Sequence, residues 1–167
     1  MKPDTIKLQV VWTGPGAYHS SLRITPDNQE RWSKDPRFAS HEQRDANGRL
    51  TLTLGAGPQS VLRVATSRST PMISAFNRLG DTGPQTASYA ISPGVQGEDA
   101  AIDRLLTADA HYNDNLPYEL FPHPLSGGYN SNGYVSGILA MGGMYLGMCI
   151  PYDLPGYDKS VSPWDFR

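Results

Sequence analysis

Residues 127–150 read GGYNSNGYVSGILAMGGMYLGMCI and form an apolar segment rich in glycine. From Leu120 to Tyr152 the chain contains no Asp, Glu, Lys or Arg. Because charged side chains are concentrated at protein surfaces, a charge-free segment of this length is expected to be buried. We therefore expect this segment to lie at the centre of the protein.

Three structures compete for this segment. A transmembrane helix needs about 20 strongly apolar residues. In the apolar piece 134–150, glycines interrupt the chain at positions 137, 142, 143 and 147, and each weakens helix propensity by about 1 kcal/mol relative to alanine. A buried strand is an alternative for residues 144–150. We favour a central helix that begins near Ser131, in which small residues let neighbouring backbones approach closely.

The N-terminal part of the chain has the pattern of strands. IKLQVVW (6–12) and HSSLRIT (19–25) alternate apolar with polar residues, and TGPG stands between them, which predicts a β-hairpin. An Asn-Gly turn leads into RLTLTLGAG (49–57), and SVLRVATS (60–67) follows, again with period two. These patterns predict four strands.

The remaining segments are less regular. The polar stretch 27–47 has its clearest turn signal at Asp35-Pro36, and residues 68–97 read as loop with a short helix near 72–79. EDAAIDRLLTADA (98–110) predicts a helix with acidic residues in its first turn. The predicted fold class is α+β, with a small antiparallel sheet packed on a central Gly-rich helix, in a single domain spanning residues 1–167.

Composition narrows the classes of partner. The 167 residues carry a formal net charge of −2, so no basic field points to nucleic acid. A single cysteine, Cys149, excludes an internal disulfide and a Cys-rich metal site, and we interpret it as a core residue. The start, MKPDTIKLQVVW, lacks the layout of a secretory signal peptide. We expect neither a Sec signal nor stable membrane insertion.

The start of the central helix carries the candidate nucleophile. Asn130, Ser131 and Asn132 are all good helix-capping types, so a simple N-cap would explain them without any chemistry. A hydroxyl in the first turn of a buried helix also lies beside free N–H groups and the positive end of the helix dipole, both of which stabilise an oxyanion. Ser131 is therefore a candidate nucleophile, provided that a base lies beside it.

The chain offers four histidines as bases. His19 is favoured because it begins an alternating strand directly after a Gly-Pro-Gly turn. His41 lies in a charged loop, and His111 ends a helix, where a cationic side chain is favoured in any case. His123 lies between two prolines and is a candidate for the cleft wall. Two tyrosines, Tyr18 and Tyr129, are further cleft candidates.

Two motifs resemble known families. A histidine strand, YHSSLRI (18–24), followed later by NSNGYV (130–135), resembles the circularly permuted papain-like families, which include permuted NlpC/P60, PPPDE and lecithin:retinol acyltransferase-like (LRAT-like) proteins. Those families place His first and an Asn-Cys-x-x-Phe type motif later. YNSNGYVSGIL (129–139) with LPGYDKSVSPWDF (154–166) is also similar to a YNSNSFVSGLL … PGWDKPVP pattern of bacterial polymorphic-toxin and secreted-effector domains.

This resemblance implies a permuted papain-like hydrolase or acyl transferase that acts on an amide or ester. His19 would be the base, Ser131 would stand where the family has cysteine, and Asn130 and Asn132 would supply oxyanion donors or support. A serine is not ionised near neutral pH as a thiol partly is, so Ser131 depends wholly on its base and oxyanion hole. The strand after the His19 strand offers only threonines as a third member, so the sequence leaves that member unplaced.

The same resemblance implies the partners and the location. Peptide, peptidoglycan and lipid substrates all remain open, together with a cognate immunity protein. The protein would be cytoplasmic in the producer or delivered to a target cell by a specialised secretion system. The alternatives are a non-catalytic papain-like binding domain and a structural component of a secretion or phage particle.

A scattered set of oxygen and nitrogen ligands raises the question of a metal site. The set consists of Asp109, His111, Asn113 and Asp114. It lacks the glycine and the terminal glutamate of a calcium loop. We therefore predict no metal site, and no motif implies a cofactor.

Overall fold

A computed structural model describes residues 5–14, 17–41, 43–61, 69–144 and 154–167. Within these ranges there are six strands: β1 (Ile6–Gly14), β2 (Ala17–Ile24), β3 (Gln43–Arg44), β4 (Leu50–Pro58), β5 (Met72–Phe76) and β6 (Ala87–Ala90). The α-helices of the same ranges are α1 (Gln29–Lys34), α2 (Pro36–Ala39), α3 (Leu79–Thr82), α4 (Glu98–His111) and α5 (Ser131–Met141). Two short 3₁₀ helices cover Gly94–Gln96 and Pro163–Phe166.

The strands form an antiparallel sheet in the order β3-β4-β2-β1-β6, with β5 also paired to β4. β1 and β2 pair from Ile6 opposite Ile24 to Trp12 opposite Tyr18, which confirms the predicted hairpin. The strand predicted from RLTLTLGAG is also present, as β4. This sheet carries His19 near the start of β2.

One face of the sheet forms the core. Leu8 of β1, Leu22 of β2 and Leu54 of β4 are fully buried, as the period-two pattern requires. Helix α5 packs against β2 and β4, and α4 packs against α5. The α+β class, with an antiparallel sheet and helices, is confirmed.

Helix α5 begins at Ser131 as predicted, because Asn130 caps it. The Asn130 Oδ1 atom accepts hydrogen bonds from the main-chain N–H groups of Asn132 and Gly133, both at 3.1 Å. Eight of the eleven residues of the helix are buried. The charge-free segment therefore forms a buried helix from Ser131 to Met141, whereas Leu120, Phe121 and Leu125 at the start of the segment are exposed, contrary to the expectation of burial.

Two glycines of α5 let the C-terminal segment lie directly against the helix backbone. A Cβ atom at Gly133 would lie 2.6 Å from the Lys159 carbonyl oxygen, and one at Gly137 would lie 2.7 Å from that of Val161. The Val161 N–H donates to the Gly133 carbonyl at 3.0 Å. Close backbone packing thus explains why glycine stands inside this helix.

The prediction of a helix near 72–79 was wrong for residues 72–76. Residues Met72–Phe76 form β5, because they pair with β4 and bury the Met72 side chain, contacts that local propensity does not report. The short helix α3 begins only at Leu79. The polar stretch 27–47 also contains α1, α2 and β3, and Asp35-Pro36 separates the two helices.

Some predictions fall where the structure gives no description. Most of the predicted strand 60–67 lies outside the described residues, as do nearly all of the alternative strand 144–150 and the whole surroundings of Cys149. Among the helices that are described, none has the length and apolar character needed to cross a bilayer.

Candidate active site

His19 and Ser131 line the same cavity, which has a volume of about 140 Å³. The other lining residues are Thr13, Tyr18, Tyr118, Leu120, Phe121, Asn130 and Pro155. Four predicted site residues therefore meet at one place, namely His19, Ser131, Tyr18 and Asn130. A larger, open depression beside the start of α4 is lined by none of the predicted catalytic residues.

The His19 ring is held by a buried carboxylate. Its Nε2 atom lies 2.5 Å from Asp81 Oδ1, and the side chains of His19 and Asp81 are 19% and 1% exposed. The second carboxylate oxygen, Asp81 Oδ2, is buried and has no hydrogen-bond partner among the described residues. His19 is therefore the ionic partner that this carboxylate has in the described structure.

Asp81 lies where the third member, which the sequence left unplaced, could orient His19. It lies in α3, within the stretch interpreted as loop, and not on the strand that follows the His19 strand. Two signals could have drawn attention to it. Arg78 and Asp81 are the only charged residues from Ser69 to Gly97, and glycines such as Gly55 inside a strand often mark close approach by another group.

The contact with Asp81 determines which nitrogen of His19 can act as a base. A carboxylate only accepts hydrogen bonds, so the neutral ring carries its hydrogen on Nε2 and presents the lone pair of Nδ1. A buried carboxylate also stabilises the imidazolium that forms when Nδ1 takes a proton. The pair has the chemistry of a histidine base with its orienting acid.

The Ser131 hydroxyl lies beside the His19 ring without a hydrogen bond between them. Its side chain is 4% exposed, and among the described residues no hydrogen bond joins its hydroxyl to the His19 ring. Catalytic hydrogen bonds in unliganded enzymes are often long and tighten only when substrate binds. The two side chains are thus neighbours on one cavity wall.

Asn132 connects the helix of Ser131 to the strand of His19. Its Oδ1 atom accepts from Ser20 Oγ at 2.8 Å, and its Nδ2 atom donates to the carbonyls of Tyr18 at 2.9 Å and Pro155 at 3.0 Å. Tyr18 and Ser20 are the residues on either side of His19. The buried carboxamide therefore fixes the helix start against the backbone of the histidine strand.

The two asparagines support the site but have no amide hydrogen left for an oxyanion. Asn130 Nδ2 donates to the carbonyls of Leu120 and Pro155, at 3.1 and 2.7 Å. Each carboxamide has two N–H groups, and those of Asn130 and Asn132 are all used by main-chain carbonyls. The hypothesis of side-chain oxyanion donors therefore does not fit this geometry.

The main-chain N–H of Ser131 is the donor that remains. The next two N–H groups of the helix are taken by Asn130, whereas that of Ser131 has no acceptor among the residues that the structure describes. It lies at the positive end of a buried helix of 11 residues. The Ser131 N–H could therefore donate a hydrogen bond to an anion formed beside this residue.

Tyr129 and His123, which were predicted as cleft residues, do not line the cavity. The Lys159 ammonium lies 4.9 Å from the Tyr129 ring centroid and donates to the His123 carbonyl at 2.9 Å. His123 Nδ1 accepts from the Leu125 N–H at 3.1 Å. Lys159 thus ties both residues into the loop behind the helix.

His41, His111 and Asp109 make contacts that explain them without catalysis. The His41 ring lies against Phe76, with centroids 4.6 Å apart, and His111 Nδ1 lies 2.9 Å from the Thr107 carbonyl. Asp109 accepts from the Tyr134 hydroxyl at 2.6 Å, and burial raises the pKa of this carboxyl. The described residues contain no group of three His, Cys, Asp or Glu arranged to hold a metal ion.

Comparison of the chain with protein-family models, with curated proteins and with solved structures found no match. The geometry of the cavity is therefore the basis on which a function can be inferred.

Proposed function

We propose that this chain is a hydrolase or acyl transferase that attacks an amide or ester carbonyl through Ser131. His19 is the general base, and Asp81 is the positioning residue that orients it. The observation that carries the proposal is the His19–Asp81 pair, because it opens onto the cavity that Ser131 also lines. A buried acid, a partly buried histidine and a hydroxyl at a helix start form the set that activates a serine.

The first half of the reaction forms an acyl-enzyme. Substrate binding brings Ser131 Oγ within about 3 Å of His19 Nδ1, which takes the hydroxyl proton as Oγ attacks the carbonyl carbon. The carbonyl π electrons move to oxygen, and the Ser131 N–H with the helix dipole stabilises that oxyanion. When the oxyanion collapses, the bond to the amine or alcohol breaks and this leaving group takes the proton from His19.

The second half releases the acyl group. Water, or the hydroxyl or amine of an acceptor, gives its proton to His19 Nδ1 and attacks the acyl carbon. The tetrahedral intermediate expels Ser131 Oγ, which recovers its proton from His19. Water as the nucleophile makes the protein a hydrolase, and another acceptor makes it a transferase.

A permuted papain-like arrangement and an effector or toxin role belong to the same proposal. Support for the arrangement comes from the order of the elements, since the histidine strand precedes the nucleophile helix and the two are joined by Asn132. Support for the effector role comes from the YNSNGYVSGIL and PGYDKSV motifs. These two segments are also in contact, through Gly133 and Val161.

A non-catalytic binding domain is the second candidate. The observation that favours it is the absence, among the described residues, of a hydrogen bond between Ser131 and His19. In that case the cavity would bind a ligand and the His19–Asp81 pair would stabilise the fold alone.

Hydrolysis of p-nitrophenyl butyrate and bacterial growth on expression separate the two candidates. We expect Ser131→Ala and His19→Ala to lower kcat by about 10³-fold or more, and Asp81→Asn by about 10²- to 10⁴-fold. Ser136→Ala is the matched control, since Ser136 lies on the same helix outside the cavity and its Oγ contacts Ser160. Turnover and toxicity that are equal in wild type, Ser131→Ala and His19→Ala would contradict the proposed enzymatic function.

A further inference from the structure

The wall of the cavity beside Ser131 is largely aromatic and apolar. The members of this kind are Tyr18, Tyr118, Leu120, Phe121 and Pro155, and none of the described residues that line the cavity is Asp, Glu, Lys or Arg. Burial raises the pKa of the Tyr118 phenol, which is therefore neutral at physiological pH. A charged group placed against Leu120, Phe121 or Pro155, away from His19 and the Ser131 N–H, would lose hydration without gaining a polar partner.

Two large apolar side chains stand at this wall with much of their surface in water. Leu120 is 44% and Phe121 55% exposed. Their segment is fixed in place, since the Leu120 carbonyl accepts from Asn130 and the Glu119 N–H donates to the Tyr129 carbonyl. Apolar surface that is exposed yet rigid is the usual mark of a contact surface for a ligand.

The volume of the cavity limits the size of that ligand. About 140 Å³ is well below the roughly 300 to 1,000 Å³ of pockets that enclose a drug-sized molecule. A cavity of this volume takes a small group. One short side chain or acyl chain fills it, and a long lipid chain does not fit.

We infer that the proposed enzyme acts on an amide or ester whose acyl side ends in a short, uncharged, apolar group of about three to five carbon atoms. This inference rests on the proposed function, because the group would enter the cavity while its carbonyl stands at Ser131. Leu120 and Phe121 are then the residues that set specificity.

A series of p-nitrophenyl esters tests the inference on the wild-type protein. Each buried CH₂ contributes about 0.8 kcal/mol, or about fourfold, so kcat/KM for the butyrate should exceed that for the acetate about 15-fold. The monosuccinate, which adds a carboxylate to a chain of similar length, should react at least tenfold more slowly than the butyrate. The dodecanoate should gain nothing over the butyrate.

Matched variants locate the preference. We expect Phe121→Ala to reduce the butyrate to acetate ratio about threefold or more. Leu125→Ala removes a side chain of the same loop that is 91% exposed and does not line the cavity, so the ratio should stay unchanged.

The outcomes distinguish failure of the inference from failure of the function. If Ser131→Ala abolishes turnover while the monosuccinate reacts as fast as the butyrate, or the acetate fastest, the enzyme stands and the inferred substrate class is wrong. If Ser131→Ala retains the wild-type rate, the proposed function is wrong. Titration of Ser131→Ala with butyramide and with succinamate by NMR then decides the cavity preference alone: tighter binding of butyramide supports it, and equal or weaker binding overturns it.

Discussion

A Cβ atom added at Gly55 would lie 2.7 Å from Asp81 Oδ2, so the carboxylate that holds His19 rests directly on the backbone of β4. The Ser21 Cβ atom on the neighbouring strand is also close, at 3.3 Å from the same point. The absence of a side chain at position 55 is therefore what allows a buried acid to reach the histidine strand.

Gly55→Ala should displace Asp81 from His19. We expect the free energy of unfolding to fall by about 1 to 3 kcal/mol, as for other overpacked interiors, and hydrolysis by the His19–Ser131 site to fall with it. Gly80→Ala is the control, because Gly80 lies next to Asp81 on α3 and a Cβ there meets nothing within 4 Å. Urea denaturation measures the free energy of unfolding of the two variants. A Gly55→Ala protein as stable as Gly80→Ala would contradict the contact between Gly55 and Asp81.

Asn132→Ala should separate the helix of Ser131 from the strand of His19. The substitution removes the hydrogen bonds that Asn132 makes with Ser20 Oγ and with the Tyr18 carbonyl, and leaving a buried group such as Ser20 Oγ unsatisfied costs about 1 to 3 kcal/mol. We expect a loss of about 2 to 4 kcal/mol in the free energy of unfolding. Asn115→Ala, at an exposed asparagine, should stay within about 0.5 kcal/mol of wild type.

Gly133→Ala should destabilise the protein although alanine favours helix by about 1 kcal/mol. Its Cβ would meet the Lys159 carbonyl at 2.6 Å, so the C-terminal segment must move away from α5. We expect a net loss of about 1 to 3 kcal/mol and faster amide hydrogen exchange at Val161. At Gly127 a Cβ meets nothing within 4 Å, so Gly127→Ala should change neither quantity.

Asp109 should make stability depend on pH in the sense opposite to that of a salt-bridged acid. Burial raises its pKa, a hydrogen bond from Tyr134 lowers it, and the Asp114 and His41 charges act in opposite directions. Because the folded-state pKa exceeds the unfolded one, the contribution of Asp109 to stability is full below the unfolded pKa, near 3.8, and is lost as pH rises through the folded pKa. The free energy of unfolding of Asp109→Asn, relative to that of wild type, should therefore increase as the pH rises from about 4 to about 8.

Asp45 provides the control with the opposite sign. Main-chain N–H groups of Arg49 and Asn47 lower the pKa of this partly exposed carboxyl. Its contribution is present above the ordinary pKa and is lost as pH falls through the folded one. Asp45→Asn should therefore cost stability at pH 7 and less at pH 3, and a change of the same sign in both variants would contradict the assignment for Asp109.

The sequence by itself determined the elements whose signals are local. The period-two pattern of 6–25 predicted the hairpin, and the charge-free segment after a capping asparagine predicted α5 and its first residue, Ser131. A cap and an alternating strand depend on residues a few positions apart, so both can be predicted from neighbouring residues in the sequence. His19 and Ser131 were candidates for the same reason, since each stands at the start of such an element.

Only the tertiary structure decided what surrounds these residues. Asp81 reaches His19 across 62 positions of sequence, and Asn132 reaches Ser20 across 112. The local pattern of 72–82 predicted a short helix, but it did not indicate the strand that precedes the helix or the position of Asp81 over Gly55. Contacts of this kind arise from packing between distant elements, where the space left by one glycine and the hydrogen bonds of one buried carboxamide determine which side chains meet.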